Sequence, residues 1–383
     1  MERRRIAFYA PLKAPDRGSL SGDRRIGQLL MRALLEAGYD VELAARLRSR
    51  ESKGDVARQQ RLRSAGERWA ERLIRRYLRR PAVARPALWF TYHLYYKAPD
   101  WIGPAVTRAL AIPYVVAEAS HAPKRDREPW RMVHRAAAEA IGEADIIIAL
   151  NSDDVGCLEQ LVPAHRIAKL APFIDIDAYR PRHTKEALRA RLGGALGLHA
   201  ARPWLVCVGM MRAGDKFASY RVLAAALLRL LGLDWQLLII GDGPCREAVE
   251  DLFAPMAERV RFVGKVEPES VVQVLGACDL YVWPAVNEAF GLAFLEAQTA
   301  GLPVVSCQTR GVPDVVANGE TGLLIPPDDA RALALAVEEL LKNDAKRMQM
   351  AAAGAHRCQR LHGIAPAARR LKTLLDPLFR RRD

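Results

Sequence analysis

The sequence predicts an α/β protein built from two Rossmann-like domains. Short apolar runs alternate with segments of helical periodicity along the chain, which is the pattern of parallel sheets covered by helices. The alternation stops at residues 181–203, which contain two prolines and two adjacent glycines, and then begins again. With 383 residues, of which 50% are hydrophobic, the chain is long enough to bury two separate cores.

The first domain is predicted to span residues 1–180. Apolar runs at residues 6–9, 41–45, 87–92, 114–118 and 145–150 indicate its strands, and the run 167–172 closes it. A helix is expected from Arg24 to Ala37, where Gly38 ends it, and another near residues 152–160.

The second domain is predicted to span residues 204–361, after a connector at 181–203. Its expected strands are residues 204–208, 236–240, 260–263, 280–283, 304–306 and 323–325, and its last helices are 330–341 and 346–361. The tail, residues 362–383, predicts a basic helix from Pro366 to Leu375 that Pro377 ends.

The chain has a formal net charge of +14, and much of this charge lies in one helix. Residues 56–80 contain nine arginines and two glutamates, and Leu62, Trp69, Leu73 and Tyr77 recur there at helical spacings. Two interpretations stay open. The helix packs its apolar face on its own domain and leaves its arginines in water, or it contacts an anionic membrane or an acidic ligand.

Other features bound the class of protein. The six cysteines are scattered without metal-ligand spacing, which is typical of free thiols in a reducing compartment, so we expect neither zinc nor disulfides. No apolar run approaches the roughly 20 residues that span a bilayer. The run 6–9 precedes Pro11 and Lys13 and predicts a strand, not a signal peptide. We expect a cytoplasmic protein, peripheral at the inner membrane face if the arginine-rich helix contacts lipid.

The most informative segment is residues 287–297, Asn-Glu-Ala-Phe-Gly-Leu-Ala-Phe-Leu-Glu-Ala. Glu288 and Glu296 are separated by seven residues, and Gly291 lies between them at the expected start of a helix. Backbone N–H groups at such a start can bind phosphate or sugar oxygens. Glu296 lies five residues further, about 7.5 Å along the axis. The pattern therefore predicts a cradle for a sugar nucleotide, with each carboxylate binding a different hydroxyl-bearing part.

This segment resembles the paired-glutamate signature of the retaining glycosyltransferases of family 4, the group 1 glycosyltransferases. The resemblance continues in order and spacing through the segments 208–212, 240–244, 311–316, 318–325 and 326–329. It implies the GT-B fold, in which two Rossmann-like domains face each other across a cleft, and a tail helix that returns to the first domain. It also implies sugar transfer from a nucleotide-diphospho-sugar with retention of configuration.

The resemblance implies roles for the residues of this segment. Glu296 would accept hydrogen bonds from the ribose, and Glu288 would lie beside the transferred sugar. The amides of Phe290, Gly291 and Leu292 would reach sugar or phosphate oxygens.

Four further residues of the second domain would contact the donor. Arg212 and Lys216 would neutralise the departing diphosphate in place of a metal ion, since no Asp-x-Asp motif follows a suitable strand. Gly241 would flank the nucleotide, and Val266 would border the base.

In the first domain, the resemblance points to two positions. Gly22, just before the first helix, would face the diphosphate and the acceptor. His121, after a predicted strand, matches a histidine that relatives place next to the transferred sugar, and it is the candidate catalytic residue with Glu288. His93 is a rival for that role.

We therefore expect a metal-independent retaining glycosyltransferase with no cofactor apart from its donor substrate, a UDP or GDP sugar. Its acceptor would be a glycan, a lipid-linked acceptor or a small molecule. One alternative is a sugar-nucleotide epimerase or phosphorylase of the same architecture. Another, prompted by a pI near 9.8, is a basic nucleic-acid-binding protein. Because no nucleic-acid module is recognisable, no specific nucleic-acid partner is expected.

Overall fold

The computed structural model describes residues 3–17, 21–289 and 291–380. The chain forms two compact units. The first unit comprises Met1–Ala171 and Ile364–Asp383, and the second unit comprises Pro172–Gly363. Each unit contains one six-stranded sheet with helices, so the predicted α/β class is confirmed.

The elements follow one another in the alternation that the sequence predicts. The part up to residue 171 contains β1 Arg5–Tyr9, α1 Gly22–Glu36, β2 Asp40–Ala45, α2 Val56–Leu78, β3 Leu88–Leu94, α3 Gly103–Leu110, β4 Tyr114–Ala119, α4 Arg131–Glu143, β5 Ile146–Ala149, α5 Val155–Leu158 and β6 Ile167–Lys169.

The remainder of the chain contains α6 Ile176–Tyr179, α7 Lys185–Leu196, β7 Trp204–Val208, α8 Asp215–Leu227, β8 Gln236–Ile240, α9 Arg246–Phe253, β9 Val260–Gly264, α10 Pro268–Ala277, β10 Leu280–Val282, α11 Leu292–Thr299, β11 Val304–Cys307, α12 Val312–Val315, β12 Gly322–Ile325, α13 Ala330–Lys342, α14 Asp344–Leu361 and α15 Ile364–Arg380.

Both sheets are parallel and each has one topological switch point. The strand order is β2-β1-β3-β4-β5-β6 in the first unit and β12-β11-β10-β7-β8-β9 in the second. In the first sheet the chain leaves β1 towards β2 and returns to β3 on the other side. In the second it leaves β7 towards β8 and returns to β10. Ligands of open α/β sheets bind at the carboxyl edge beside such points.

The strands are buried on both faces, as expected for a parallel sheet covered by helices. In β1, Ile6, Ala7 and Phe8 are fully buried, and the Phe8 ring stacks on Phe90 of β3 at 5.5 Å between centroids. Burying a side chain as large as that of Ile6 or Phe8 contributes about 1.5–3 kcal/mol. The sheet cores therefore hold the strand ends, and the loops that follow them, in fixed positions.

The last helix belongs to the first unit. α15 packs against α1, and Tyr39 donates a hydrogen bond to Asp376 Oδ1 at 2.8 Å. The prediction that Pro377 ends this helix is wrong, because α15 continues to Arg380. Proline removes one helical hydrogen bond, but continuing the helix buries Leu378 and Phe379, each 5% exposed.

The segment expected to be a connector, residues 181–203, lies within the second unit. Its helix α7 places Lys185 and Arg189 against the two carboxylate oxygens of Asp279, which directly precedes β10. Asp279 also accepts a hydrogen bond from the Trp204 amide at 2.7 Å. A carboxylate that is 8% exposed and bonded on both oxygens anchors α7 to the sheet.

Three features of the described residues bear on the class of protein. The six cysteines are free thiols. Across residues 3–17, 21–289 and 291–380, no three His, Cys, Asp or Glu side chains are placed to hold a metal ion together. Within the same ranges, no helix has the length and apolar character needed to cross a membrane.

Candidate functional site

The predicted site residues of the second unit gather at the carboxyl edge of its sheet. Because the six strands are parallel, the loops that follow β7, β8, β9 and β10 emerge at one edge. Lys216 follows β7 and Glu288 follows β10, so these two side chains flank the switch point of the sheet. That is where open α/β sheets bind their ligands.

Lys216 and Glu288 form an ion pair at this switch point. The Lys216 Nζ atom contacts Glu288 Oε2, and it lies 5.5 Å from the centre of the Trp283 ring. The two side chains are only 21% and 23% exposed. Charges removed from water to this extent are costly unless they are paired. Each of the two groups therefore stabilises the other at the mouth of the site.

The loop that carries Glu288 is strained and tightly held. Ala285 and Asn287 both have left-handed backbones, with φ of 57° and 54°. The Val286 amide donates to Ser219 Oγ at 3.0 Å, and the Asn287 side-chain amide donates to Asp215 Oδ2 at 3.1 Å. Non-glycine residues stay in this region only where the surroundings impose it, and such positions concentrate at binding sites.

Glycines allow the loops after β7 and β8 to touch. Gly241 has φ of +140°, and a Cβ atom there would lie 1.9 Å from the Gly209 carbonyl oxygen. Gly243 has φ of +156°, and its Cβ would lie 2.3 Å from the Met211 carbonyl oxygen. The Met211 amide also donates to the Asp242 carbonyl at 3.0 Å. The loop that precedes Lys216 is therefore fixed by its neighbour.

The second acid of the predicted pair lies inside the second unit. Gly291 caps α11 with φ of +61°, and a Cβ there would lie 2.8 Å from the Phe294 ring. Glu296 is 7% exposed, on a helix whose neighbouring residues are core. Burial raises the pKa of the Tyr281 phenol, and the charges of Glu296 and Glu288 raise it further. Both carboxylates therefore lie near the Tyr281 side chain.

The remaining predicted residues of the second unit lie at the same edge with different exposure. Arg212 is exposed in the loop after β7 and forms no ion pair among the described residues. Val266 follows β9 and is half-buried against the core. Leu292 is the first residue of α11. Phe290 lies outside the described residues.

In the first unit, Gly22 is the first residue of α1, at the carboxyl edge beside the β1–β3 switch point. No atom of the described residues would lie within 4 Å of a Cβ atom added at Gly22. Its neighbour Asp23 accepts a hydrogen bond from Lys13 Nζ at 2.6 Å. Burial raises the pKa of Asp23, but the hydrogen bond from Lys13 and nearby positive charge outweigh it, and the pKa is lowered.

His93 and Glu118 meet beside Asp23. The His93 Nδ1 atom lies 3.6 Å from Asp23 Oδ1 and 3.6 Å from Glu118 Oε1. Both His93 and Glu118 have left-handed backbones, with φ of 63° and 58° at the ends of adjacent strands. Burial raises the pKa of Glu118, and the neighbouring His93 opposes that shift.

His121 has a different environment. Its backbone amide donates to Cys157 Sγ at 3.4 Å, and its ring lies 4.9 Å from the ring of His134. Burial lowers the pKa of His121, and the neighbouring His134 lowers it further. His121 is therefore kept neutral near pH 7 and is not paired with a carboxylate in the way that His93 is.

The sequence interpretation missed Lys13, Asp23 and Glu118 as functional candidates. Asp23 follows the Ser-Gly pair that opens α1, and Glu118 is an acid near the end of an otherwise apolar strand. A charged residue at the carboxyl end of a buried parallel strand indicates a position at the ligand-binding edge of the sheet, and this pattern in the sequence could have identified Glu118.

Residues 202–343 match the family described as glycosyl transferases group 1. The chain carries a group 1 glycosyltransferase domain. This domain includes the β7–β10 switch point and both acids of the predicted pair. The recognition of the family from its motifs is thereby confirmed.

Curated relatives of this glycosyltransferase domain carry transferase names. The chain is 34% identical over 192 residues to alpha-D-kanosaminyltransferase of Streptomyces kanamyceticus, covering 50% of this chain and 49% of that protein. It is 30% identical over 262 residues to D-inositol 3-phosphate glycosyltransferase of Corynebacterium urealyticum. That match covers 66% of this chain and 60% of that protein. The chain thus spans about half to three fifths of the length of these relatives.

Solved structures resemble this chain over nearly its whole length. Sucrose-phosphate synthase from Thermosynechococcus elongatus has a TM-score of 0.74 at 21% identity and covers 99% of this chain and 100% of its own. HepE of Anabaena, solved in complex with UDP, has a TM-score of 0.73 at 16% identity, covering 97% and 100%. At these identities the likeness concerns the fold, and the GT-B class is confirmed.

Proposed function

We propose that this protein is a retaining glycosyltransferase that moves a sugar from a nucleoside-diphosphate sugar to an acceptor hydroxyl. The observation that carries the proposal is the arrangement at the β7–β10 switch point. A paired cation and carboxylate, a helix opened by glycine and a buried glutamate lie there at one sheet edge. Each of these three features suits one part of such a donor, namely its diphosphate, its sugar or its ribose.

The diphosphate would be held by positive groups without a metal ion. Lys216 is already fixed by Glu288 and Trp283, and the exposed Arg212 follows the same strand. The departing diphosphate gains negative charge in the transition state, so fixed cations and helix-start amides stabilise that state most. The amides after Gly291, at the start of α11, would donate to the same oxygens.

The nucleoside would be recognised through Glu296. A carboxylate that is 7% exposed can accept hydrogen bonds from two vicinal hydroxyl groups, and desolvation makes such bonds strong. The ribose of a nucleotide offers such a pair. Gly241 and Val266, at the ends of β8 and β9, would border the nucleotide and its base. A relative of this fold, HepE, was solved with UDP, which supports a uridine donor.

The transfer would proceed on one face of the sugar, with Glu288 beside the transferred ring, and His121 stays the predicted catalytic histidine. No carboxylate among the predicted site residues is an obvious covalent nucleophile, and Glu288 is paired with Lys216. We therefore expect no glycosyl-enzyme intermediate. Recovery of a glycosyl adduct on Glu288 by mass spectrometry would contradict this route.

The donor site can be tested by thermal unfolding with UDP, GDP and ADP, without added metal. At a hundredfold excess over its Kd, the correct nucleotide should stabilise the protein by about 2.7 kcal/mol. Glu296→Gln should remove most of the shift, because the uncharged amide accepts hydrogen bonds more weakly. The matched control, Glu320→Gln, changes an exposed turn of the same unit and should keep the shift. An equal shift in both variants would contradict the role of Glu296.

Measurements of kcat test the role of Lys216, and product analysis separates sugar transfer from epimerisation and phosphorolysis. Lys216→Ala should lower kcat by about 10²–10³ if Lys216 stabilises the leaving diphosphate, whereas Lys342→Ala, at a 60% exposed position, should not. NMR of the donor incubated alone would reveal an epimerase, and a requirement for free phosphate would reveal a phosphorylase.

The acceptor would be a glycan or a lipid-linked saccharide, approached at a membrane surface. Along α2 and at the residue that caps its end, five exposed arginines recur at spacings of seven, four, three and four: Arg61, Arg68, Arg72, Arg75 and Arg79. They lie opposite the buried side of the helix, which includes Gly66, Ala70, Leu73 and Tyr77. We call these five the arginine row; it extends about 27 Å along the helix. No carboxylate partner of these five is found among the described residues.

A row of cations on one helix face suits a plane of anionic lipid headgroups, since each basic residue near such a surface contributes about 1 kcal/mol. The protein should therefore sediment together with vesicles that contain phosphatidylglycerol, and the bound fraction should fall as the salt concentration rises. The triple substitution of Arg68, Arg72 and Arg75 to Gln should abolish most of it. The charge-matched control replaces Arg229, Arg331 and Arg360, which are exposed in the second unit. If both triple variants lose vesicle binding equally, the binding comes from the total positive charge of the protein and the arginine row has no specific role.

A further inference from the structure

We infer that His134, a buried histidine of α4, is a positioning residue for His121. Its ring fixes the orientation of the His121 ring and keeps that ring neutral, which is the form in which an imidazole accepts a hydrogen bond or a proton. This inference rests on the proposed glycosyl transfer, in which His121 is the predicted catalytic histidine. His134 acts only through His121, because it is 5% exposed and has almost no surface of its own for a ligand.

The two imidazole rings pack against each other. Their centroids lie 4.9 Å apart, and their planes are inclined by 37°. His134 is held by the first turn of α4, where its backbone amide donates to the Trp130 carbonyl at 2.8 Å. His121 is anchored separately, since its backbone amide donates to Cys157 Sγ on α5 at 3.4 Å. Because His121 is only half-buried, it keeps an accessible surface beside this fixed neighbour.

Stability alone does not explain a histidine at position 134. Neither of its ring nitrogens has a hydrogen-bond partner among the residues that the structure describes. Buried polar groups are normally hydrogen-bonded, and leaving one without a partner lowers the stability of the folded state. An apolar ring would fill the same space without this cost. The imidazole at this position therefore indicates a role other than packing.

Electrostatics couples the two rings. At this separation a proton on one imidazole disfavours a proton on the other. Burial lowers the pKa of His121, His134 lowers it further, and the carboxylate of Asp126 opposes the shift. Asp126 Oδ1 lies 4.0 Å from His134 Nδ1 and 3.0 Å from Arg135 Nε, whereas His121 has no carboxylate oxygen within 4.0 Å among the described residues. A proton that the pair takes up is therefore stabilised on His134.

The thiol of Cys157, which contacts His121 from α5, adds no negative charge. Burial raises the pKa of this thiol, and its Sγ atom donates to the Asp154 carbonyl at 3.0 Å. The protonated thiol therefore does not favour a charged imidazole beside it. A neutral imidazole has one ring nitrogen with a free lone pair, which an imidazolium lacks. His134 thus preserves in His121 the group that a sugar or acceptor hydroxyl can donate to.

An NMR titration of the histidine rings in the full chain, labelled with nitrogen-15 at histidine, tests the inference. The chain has eight histidines, and His121→Gln identifies the signal of His121. In His134→Phe and in His134→Gln, His121 should titrate at a higher pH than in the wild type, because the neighbouring titratable ring is gone. His165→Gln, at an exposed position of the same unit, is the matched control and should leave the titration of His121 unchanged.

The two variants at position 134 separate orientation from charge. His134→Phe keeps an aromatic ring against His121, so the chemical shifts of neutral His121 should stay close to those of the wild type. His134→Gln removes the ring, and these shifts should move. His134→Phe should also unfold at the same urea concentration as the wild type or a higher one, because it removes two buried nitrogens without partners.

The outcomes separate this inference from the proposed function. If His121 titrates at the same pH or a lower one in both variants, His134 does not keep it neutral and the inference is overturned. A loss of stability in His134→Phe, with the titration of His121 unchanged, would assign His134 to packing alone. The UDP-dependent thermal shift should persist in both variants, because it reports the second unit. Absence of that shift from the wild type would refute the proposed donor site and leave the NMR result unaffected.

Discussion

Two glycines after β8 are required because the backbone of the neighbouring loop occupies the space of their side chains. At Gly241 the obstacle is a carbonyl oxygen of the β7 loop, and at Gly243 it is another carbonyl of the same loop. Neither obstacle is a flexible side chain that can rotate away. Because these two glycines have no side chain, the predicted nucleotide turn can pack directly against the loop that carries Arg212.

A substitution at Gly241 should consequently destabilise the protein far more than one at an unobstructed glycine. Gly241→Ala combines a left-handed backbone with a contact at 1.9 Å and should lower the free energy of unfolding by about 3 kcal/mol or more. The control is Gly232→Ala, where an added Cβ meets nothing within 4 Å and the expected change is within about 0.5 kcal/mol. Urea denaturation of both variants measures the difference, and equal stabilities would contradict the steric explanation.

At the scale of elements, the end of α14 is tied to the start of the second unit by one histidine. The His362 ring is 1% exposed, and its Nδ1 atom lies 2.6 Å from the Pro172 carbonyl oxygen. The His362 carbonyl accepts the Ile174 amide at 2.9 Å. Burial lowers the pKa of His362 to about 4, and the bond to Pro172 opposes part of this shift. The folded protein therefore requires a neutral imidazole at this junction.

This junction makes stability depend on pH in a defined window. An unfolded histidine has a pKa of about 6.5, so between about pH 6.5 and 4 the unfolded state binds a proton that the folded state does not. The contribution of His362 is complete above that window and is lost as the pH falls through it, by about 3 kcal/mol in total.

Replacing His362 by Gln should therefore flatten the stability profile between pH 7 and pH 4.5 by about 2–3 kcal/mol relative to wild type. His356→Gln, at an exposed position of the same helix, should leave the profile parallel to that of wild type. Chemical denaturation at several pH values measures the profiles. Parallel curves for the His362 variant would show that this ring is not the cause.

At the scale of the whole molecule, the chain forms its two units from segments that are not contiguous. α15 completes the first unit although more than 190 residues of the second unit precede it. Its buried positions, Leu371 and Leu375, are fully inaccessible, and Tyr39 contacts Phe379 at 5.7 Å between ring centroids. The stability of the first unit therefore depends on α15, near the end of the chain.

Leu371→Ala should create a cavity in the first unit and cost about 2–5 kcal/mol. Leu335→Ala, at a 56% exposed position of α13, should cost much less. Hydrogen exchange followed by mass spectrometry locates the effect, with faster exchange expected in β1 and β3 and unchanged exchange in β7 and β8. Faster exchange confined to the second unit would contradict the assignment of α15 to the first.

The sequence by itself determined the α/β class, the positions of the strands and the glycosyltransferase motifs, because apolar periodicity, glycine turns and the spacing of Glu288 and Glu296 are local properties of the chain. The roles of the individual site residues remain predictions. Only the tertiary structure decided which distant groups meet. Lys216 pairs with Glu288 across 72 positions, and His93 meets Asp23 and Glu118 because two strand ends adopt left-handed backbones. Such meetings depend on strand order and backbone direction, which no local pattern encodes.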